Sequence, residues 1–151
     1  MQIPRNALVL VGDGMRAMFL KNTGSPMAPN LVVARVLEQQ NPPTREQGTD
    51  RPGRRAGVDF STQRSAVEET DWHQLAEDRF ATNIADALYR SAHANRYQRL
   101  IIVAPPKVLG TLRKSLHKEV RQRVTAEVPK DLARHSVSNI QRELTGLAGI
   151  E

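Results

Sequence analysis

The sequence of 151 residues contains no cysteine. This absence excludes disulfide bridges, thiolate nucleophiles and metal centres with cysteine ligands. Aromatic residues make up only 4% of the chain, so we expect an aliphatic core and few rings that could stack on nucleic-acid bases. No apolar run approaches the roughly 18 residues of a membrane span.

The sequence also lacks the short motifs of several enzyme classes. It contains no Walker phosphate loop, no G-x-S-x-G and no H-x-x-x-H pair. Its four histidines are far apart, and each lies in a segment with a helical pattern: His73, His93, His117 and His135. We therefore predict no metal site and no cofactor, and expect the histidines to be solvated or to cap helices.

Asp13 is a possible catalytic carboxylate, because it follows a predicted central strand. A turn aspartate, selected for its side-chain hydrogen bond, also explains it, and we favour that interpretation. A nuclease would need further carboxylates that converge on a metal ion. The available companions, Asp71 and Asp86, are explained as a helix cap and a solvent-facing residue.

The amino terminus has no pattern of a signal peptide. Arg5 precedes an apolar run of only Ala7 to Val11, which is shorter than a signal core, and Asp13 follows it. We therefore expect the protein in the cytoplasm, without a membrane span.

The chain is strongly basic, with a net charge of +6 and a pI of about 10.3. The excess is uneven: residues 73–151 hold 13 Lys and Arg against 8 Asp and Glu, whereas residues 1–72 hold 9 against 8. This balance is compatible with an anionic partner such as nucleic acid, and equally with a soluble basic surface.

Hydrophobic patterning predicts five strands and three helices. Continuous aliphatic runs, such as those near residues 8 and 101, indicate strands buried on both faces. The predicted strands are Ala7–Val11, Met15–Lys21, Leu31–Glu38, Leu100–Ala104 and Val124–Val128. The predicted helices are Trp72–Ala94, with Asp71 as its N-cap, residues 106–124, and Asp131–Leu147.

The element order β-β-β-α-β-α-β-α predicts one α/β domain over residues 1–151, with a mixed five-stranded sheet packed against helices. Asp13-Gly14 supplies the first hairpin turn, so the first three strands should form an antiparallel meander. Trp72 should pack at the start of the first helix. The sequence carries no signal for an oligomeric state.

A polar gap at about 41–70 separates the third strand from the first predicted helix. Loops of this length are usually functional or disordered. The segment 45–55 concentrates four arginines beside Gly48 and Gly53, and these can offer guanidinium groups and backbone N–H groups to phosphates. We predict that this segment binds nucleic acid through Arg45, Arg51, Arg54 and Arg55.

The predicted helix 106–124 carries a second basic set. Its apolar residues lie on one face, and Arg113, Lys114, Lys118 and Arg121 lie on the other. A charged helix face is usually solvated, but this one could support the arginine segment in contacting phosphates.

Several motifs in their order resemble a family of small bacterial proteins described as required for attachment to host cells. The resemblance covers nearly the whole chain. The motifs are Asp50-Arg51-Pro52-Gly53-Arg54, Arg64-Ser65-Ala66, Thr70-Asp71-Trp72-His73, Phe80-Ala81, Leu100 to Pro105, Leu109-Gly110-Thr111-Leu112-Arg113 and Lys130-Asp131-Leu132.

That family is similar to the central domain of archaeal and eukaryotic class I release factors. The similarity implies a mixed α/β fold related to ribosomal-protein and RNase H-like architectures. In release factors, the loop after the opening meander carries a Gly-Gly-Gln motif that enters the peptidyl-transferase centre. Here the equivalent loop has Arg51-Pro52-Gly53-Arg54-Arg55, and no Gly-Gly-Gln occurs.

Three functional hypotheses follow. The first is a non-catalytic, cytoplasmic protein that binds the ribosome or a structured RNA through phosphate contacts. The second is a factor linked to host-cell attachment. The third is a hydrolase acting on RNA or peptidyl-tRNA, with Asp13 or a loop residue as its acid–base group.

Overall fold

The computed structural model describes residues 1–39 and 55–147, with side chains from residue 71 onward in the helix that begins at Arg55. The strands are β1 (Leu8–Gly12), β2 (Arg16–Asn22), β3 (Leu31–Glu38), β4 (Leu100–Val103) and β5 (Val124–Val128). The helices described are α1 (Arg55–His93), α2 (Pro106–Ser115), α3 (Lys118–Arg121) and α4 (Val137–Thr145).

The strands form one mixed sheet with the order β3-β2-β1-β4-β5. β1 pairs antiparallel with β2 and β2 antiparallel with β3, whereas β4 runs parallel to β1 and β5 parallel to β4. The predicted α/β class, the five-stranded mixed sheet and the opening meander are confirmed. A helical crossover joins β1–β3 to β4 because parallel strands cannot be joined by a tight turn.

The two central strands are buried on both faces. All five residues of β1 and all four of β4 are buried. Leu8 and Leu10 face one hydrophobic cluster, and Val9 and Val11 face the other, as the alternation of side chains along a strand requires. The aliphatic runs of β1 and β4 therefore reflect burial on both faces of the sheet.

Different parts of the chain cover the two faces. Phe80, Ile84 and Leu88 of α1 pack on the first face together with side chains from α2 and α3. The second face is covered by Ile140 and Leu144 of α4 and by the amino-terminal residues of the chain.

The helix boundaries correct three predictions. α1 begins at Arg55, not at Trp72, so residues 55–70 of the predicted loop are helical and Asp71 is not an N-cap. This stretch has no proline and a single glycine, so helix is allowed there, but it lacks the apolar periodicity on which the prediction relied.

The predicted helix 106–124 is two helices. Leu116 has extended backbone angles and is buried, and α3 starts after His117. The predicted last helix begins at Val137 rather than Asp131, because Ser136 is its N-cap and accepts the Asn139 N–H at 3.1 Å.

Asn22 joins the amino terminus to the sheet, and it is the buried polar residue of the described core. Its Nδ2 donates to the Ile3 carbonyl at 2.8 Å, and its Oδ1 accepts the N–H groups of Gly24 and Asn30, each at 2.9 Å. One side chain thereby satisfies backbone groups from three segments, which burial would otherwise make costly.

Tyr97 packs between α1 and β4. Its hydroxyl donates to the Leu88 carbonyl at 2.8 Å, and the Arg123 guanidinium lies 5.7 Å from the centre of its ring. Burial raises the pKa of Tyr97 to about 12; nearby Arg123 opposes the rise and Glu119 adds to it.

We predict that Asn22→Ala lowers the free energy of unfolding by about 3 kcal/mol, because it leaves buried backbone groups without partners. Urea denaturation provides the measurement. Asn30→Ala is the matched control, because the Asn30 side chain bonds Thr23 on the surface. A cost for Asn22→Ala no larger than that of the control would contradict the prediction.

We predict that Tyr97→Phe costs about 1 kcal/mol at neutral pH through the lost hydrogen bond. The unfolded chain loses the tyrosine proton near the ordinary tyrosine pKa of 10.0, whereas the folded protein keeps it until the pH reaches about 12. The free energy of unfolding of the wild type should therefore fall as the pH rises from 10 to about 12. Tyr97→Phe has no hydroxyl to titrate at this position, so its free energy of unfolding should fall less over the same range. Denaturation at both ends of this pH range tests this, with Tyr89→Phe as control.

Candidate nucleic-acid interface

The described chain leaves the fold after Gln39, at one end of the sheet, and the predicted arginine segment follows it in the sequence. This end carries the carboxyl termini of the parallel strands β1 and β4, followed by the Asp13-Gly14 turn and by the first turn of α2. Ligands of open α/β sheets commonly bind outside the carboxyl ends of strands. This end is therefore a candidate binding surface.

Asp13 shapes the turn between β1 and β2. Its Oδ1 accepts the N–H groups of Met15 and Arg16, each at 2.7 Å, and its own N–H donates to the Arg16 carbonyl at 2.9 Å. Its Oδ2 lies 3.7 Å from Nε of Arg134. The geometry is that of an aspartate that closes a turn through its side chain, as the favoured interpretation predicted.

Gln39 fixes the point where the chain leaves β3. Its backbone N–H donates to the Met15 carbonyl at 2.7 Å, and its side-chain Nε2 donates to the Ala76 carbonyl of α1 at 2.8 Å. Next to it, Arg16 and Glu38 pair at 2.9 Å across β2 and β3. The segment that follows Gln39 therefore starts from a position tied to both the hairpin and α1.

The predicted arginines lie between this point and α1. Arg45, Arg51 and Arg54 lie outside the described residues, and Arg55 is the first residue of α1, where the backbone alone is described. The contacts of Gln39 place the point where the described chain ends, and the phosphate-binding role of the segment stays a prediction.

A small cavity lies behind the Asp13-Gly14 turn. Glu77 of α1 and Lys107 of α2 approach to 3.9 Å at its edge, and Phe80 and Thr111 line it. Its volume of about 10 Å³ has room for about one water molecule. This cavity is therefore too small to hold a substrate.

The second basic set is divided by the break between α2 and α3. Arg113 donates from Nε to Glu127 Oε1 at 2.8 Å, and this hydrogen bond together with the opposite charge raises the pKa of Arg113. Lys114, Lys118 and Arg121 are exposed, the last two on one turn of α3. The structure thus leaves three of the four predicted cations open and pairs the fourth with β5.

Two of the histidines take part in packing at the helix junction. The ring of Tyr89 stacks on His117 at 4.3 Å and on His93 at 5.8 Å between centroids. Within the ranges that the structure describes, no group of three or more His, Asp or Glu side chains is placed to hold a metal ion. No helix in the same ranges is long and apolar enough to cross a membrane.

Sequence reasoning did not single out Gln39, Glu77, Lys107 or Arg134 at this end. No sequence motif includes any of them, and the side-chain partner of each is more than 25 residues away along the chain. Only their positions in the chain could have indicated a shared site. Each lies close to the end of a strand or to a helix, and the topology brings these elements to the same edge of the sheet.

Comparison with known proteins supplies the family context. The sequence model of bacterial archaeo-eukaryotic release factor family 12 matches residues 6–144. An uncharacterised protein of Rickettsia prowazekii (strain Madrid E) is 40% identical over 52 residues, a match that spans 34% of this chain and 35% of that protein.

We predict that Asp13→Ala lowers the free energy of unfolding by about 1–2 kcal/mol, because it removes the acceptor for two N–H groups. Asp13→Asn keeps an Oδ1 acceptor and should cost less than half as much. Both variants lose the exposed contact with Arg134, which contributes little. Chemical denaturation of the pair tests the turn role, and an equal cost for the two variants would contradict it.

Proposed function

Since this chain belongs to bacterial archaeo-eukaryotic release factor family 12, we propose that it acts in translation by binding the ribosome. The contacts in this proposal are made to RNA phosphates by Arg45, Arg51, Arg54 and Arg55. The family membership carries the proposal, and the sequence supplies the binding residues.

The anchoring of Gln39 supports this assignment of the binding segment. Two hydrogen bonds hold Gln39 against the hairpin and α1, so the chain leaves the described fold from a defined place beside the carboxyl ends of β1 and β4, six residues before Arg45. A binding segment held at its base loses less conformational entropy when it binds than one on a free tail.

The proposed role is binding without hydrolysis. The sequence has no Gly-Gly-Gln, and Asp13, the candidate catalytic carboxylate, closes a turn with its Oδ1. The cavity beside it holds about one water molecule and offers no room for a nucleotide.

The four cations of the second basic set should contribute unequally to phosphate binding. Lys114, Lys118 and Arg121 can each neutralise a phosphate, whereas Arg113 would first have to leave Glu127. Because a charge-assisted pair with good geometry resists separation, we expect Arg113 to contribute least of the four.

The role in host-cell attachment is a separate hypothesis, drawn only from the resemblance in sequence. Cell fractionation distinguishes it from the proposed role in the cytoplasm. Recovery with ribosomes supports the proposal, and recovery in washed outer membranes of intact cells supports attachment.

We predict that the purified protein co-sediments with 70S ribosomes at about 50 mM KCl, and that replacing the four arginines of the segment with alanine abolishes most of this binding. Each lost phosphate contact should lower the salt slope of log K by about 0.7–0.9, so the slope should fall by roughly 3. Titration of ribosome binding against KCl measures both effects.

The matched control removes four exposed arginines elsewhere, Arg35, Arg79, Arg90 and Arg142. It changes the net charge by the same amount and should keep the wild-type slope. Equal losses in both variants would show that overall charge governs the binding, and absence of co-sedimentation of the wild type would reject the proposal.

A further inference from the structure

An open groove lies at the opposite end of the sheet from the Asp13 turn. The segment Pro4–Ala7 forms one wall, residues 95–99 form the other, and Lys21 at the end of β2 lies between them. Its volume is about 670 Å³, within the range of about 300–1,000 Å³ that ligand clefts occupy.

Four cations line this groove: Arg5, Lys21, Arg96 and Arg99. Among the residues that the structure describes, the lining includes no acidic side chain. Within the described ranges, none of the four lies within 4.0 Å of a carboxylate, whereas Arg16, Arg113, Arg123 and Arg134 each do. The positive charge of the groove is therefore left uncompensated by this part of the protein.

Hydrogen bonds to backbone carbonyls join the segments that line the groove. Lys21 Nζ donates to the Arg96 carbonyl at 3.3 Å, and the Leu8 N–H donates to the Arg99 carbonyl at 2.9 Å, so the two walls are joined. Asn6 and Asn95 both line the groove, and they are the non-glycine residues with positive φ in the described chain, at 65° and 61°. Asparagine adopts this conformation readily in turns and after helix ends, so each residue marks a sharp bend of the backbone that lines the groove.

The chemistry of the lining indicates a phosphate backbone rather than a base or a small apolar molecule. Tyr97 is the aromatic residue of the lining, but its ring is buried and its hydroxyl donates to Leu88. A nucleic-acid base therefore cannot stack on this ring. A concave site lined by one sign of charge focuses the field on an anion that enters it.

We propose that this groove is a second RNA-binding site, which holds the phosphate backbone of a single strand through Arg5, Lys21, Arg96 and Arg99. A strand can reach the floor of a groove, whereas a flat membrane surface cannot. The choice of RNA as the polyanion rests on the proposed function, but the site, its residues and its end of the sheet are different.

The test uses the full chain and a fluorescein-labelled 20-nucleotide oligo(U), with binding measured by fluorescence polarisation between about 50 and 200 mM KCl. The groove variant is Arg5→Gln, Lys21→Gln, Arg96→Gln and Arg99→Gln. Four single-strand contacts correspond to a slope of about 2.8, so the salt increase should weaken the wild type about 50-fold more than the variant.

Two further variants complete the design. The double variant Arg5→Gln with Arg99→Gln leaves the hydrogen bond of Lys21 in place. Over the same salt range, the affinity of the wild type should fall about 7-fold more than the affinity of this double variant. Arg35→Gln, Arg79→Gln, Arg90→Gln and Arg142→Gln remove the same charge as the full groove variant, and should behave as the wild type. Circular dichroism checks the fold of each.

The outcomes separate this site from the arginine segment. Loss of oligo(U) binding in the groove variant, with ribosome binding governed by Arg45, Arg51, Arg54 and Arg55, supports both sites. Wild-type oligo(U) binding by the groove variant overturns the groove whatever the segment does. Equal losses in the groove and control variants, or binding to phosphatidylserine vesicles but not to oligo(U), also overturn it.

Discussion

The fold depends on one constraint, which is that β1 and β4 bury their side chains on both faces. A sheet with two apolar faces must be covered twice, and the cover has to come from separate parts of the chain. α1, α2 and α3 supply one layer, and α4 with the amino terminus supplies the other. Asn22 then satisfies the backbone where the amino terminus meets the sheet.

This constraint limits where on the sheet a ligand can bind. Because both faces of the central strands are occupied by hydrophobic layers, a ligand can reach these strands only at their ends. The carboxyl end holds the Asp13 turn and the anchor at Gln39, and its cavity is closed to anything larger than water. The amino end holds an open groove with four cations.

The sheet could be predicted from the sequence because its signals are local. Continuous aliphatic runs marked β1 and β4, and the Asp13-Gly14 turn joined β1 to β2. The helix ends were less accessible. Residues 55–70 are helical without an apolar stripe, and the end of α2 depends on Leu116 leaving the helix to enter the core, which no local motif announces.

The candidate binding sites also differ in how far the sequence reveals them. The arginines of 45–55 stand out in sequence because they are adjacent, and those on α2 and α3 because they recur along helices. Arg5, Lys21, Arg96 and Arg99 come from three distant segments, and each is an ordinary surface cation until the topology assembles them.

Pairing with carboxylates then decides which cations are free to bind. Arg113 looked available in the sequence but is held by Glu127, a residue 14 positions away on β5. The cations of the groove have no such partner within the described ranges. A basic residue can contribute to anion binding only where the fold has not already neutralised it, and that property belongs to the tertiary structure.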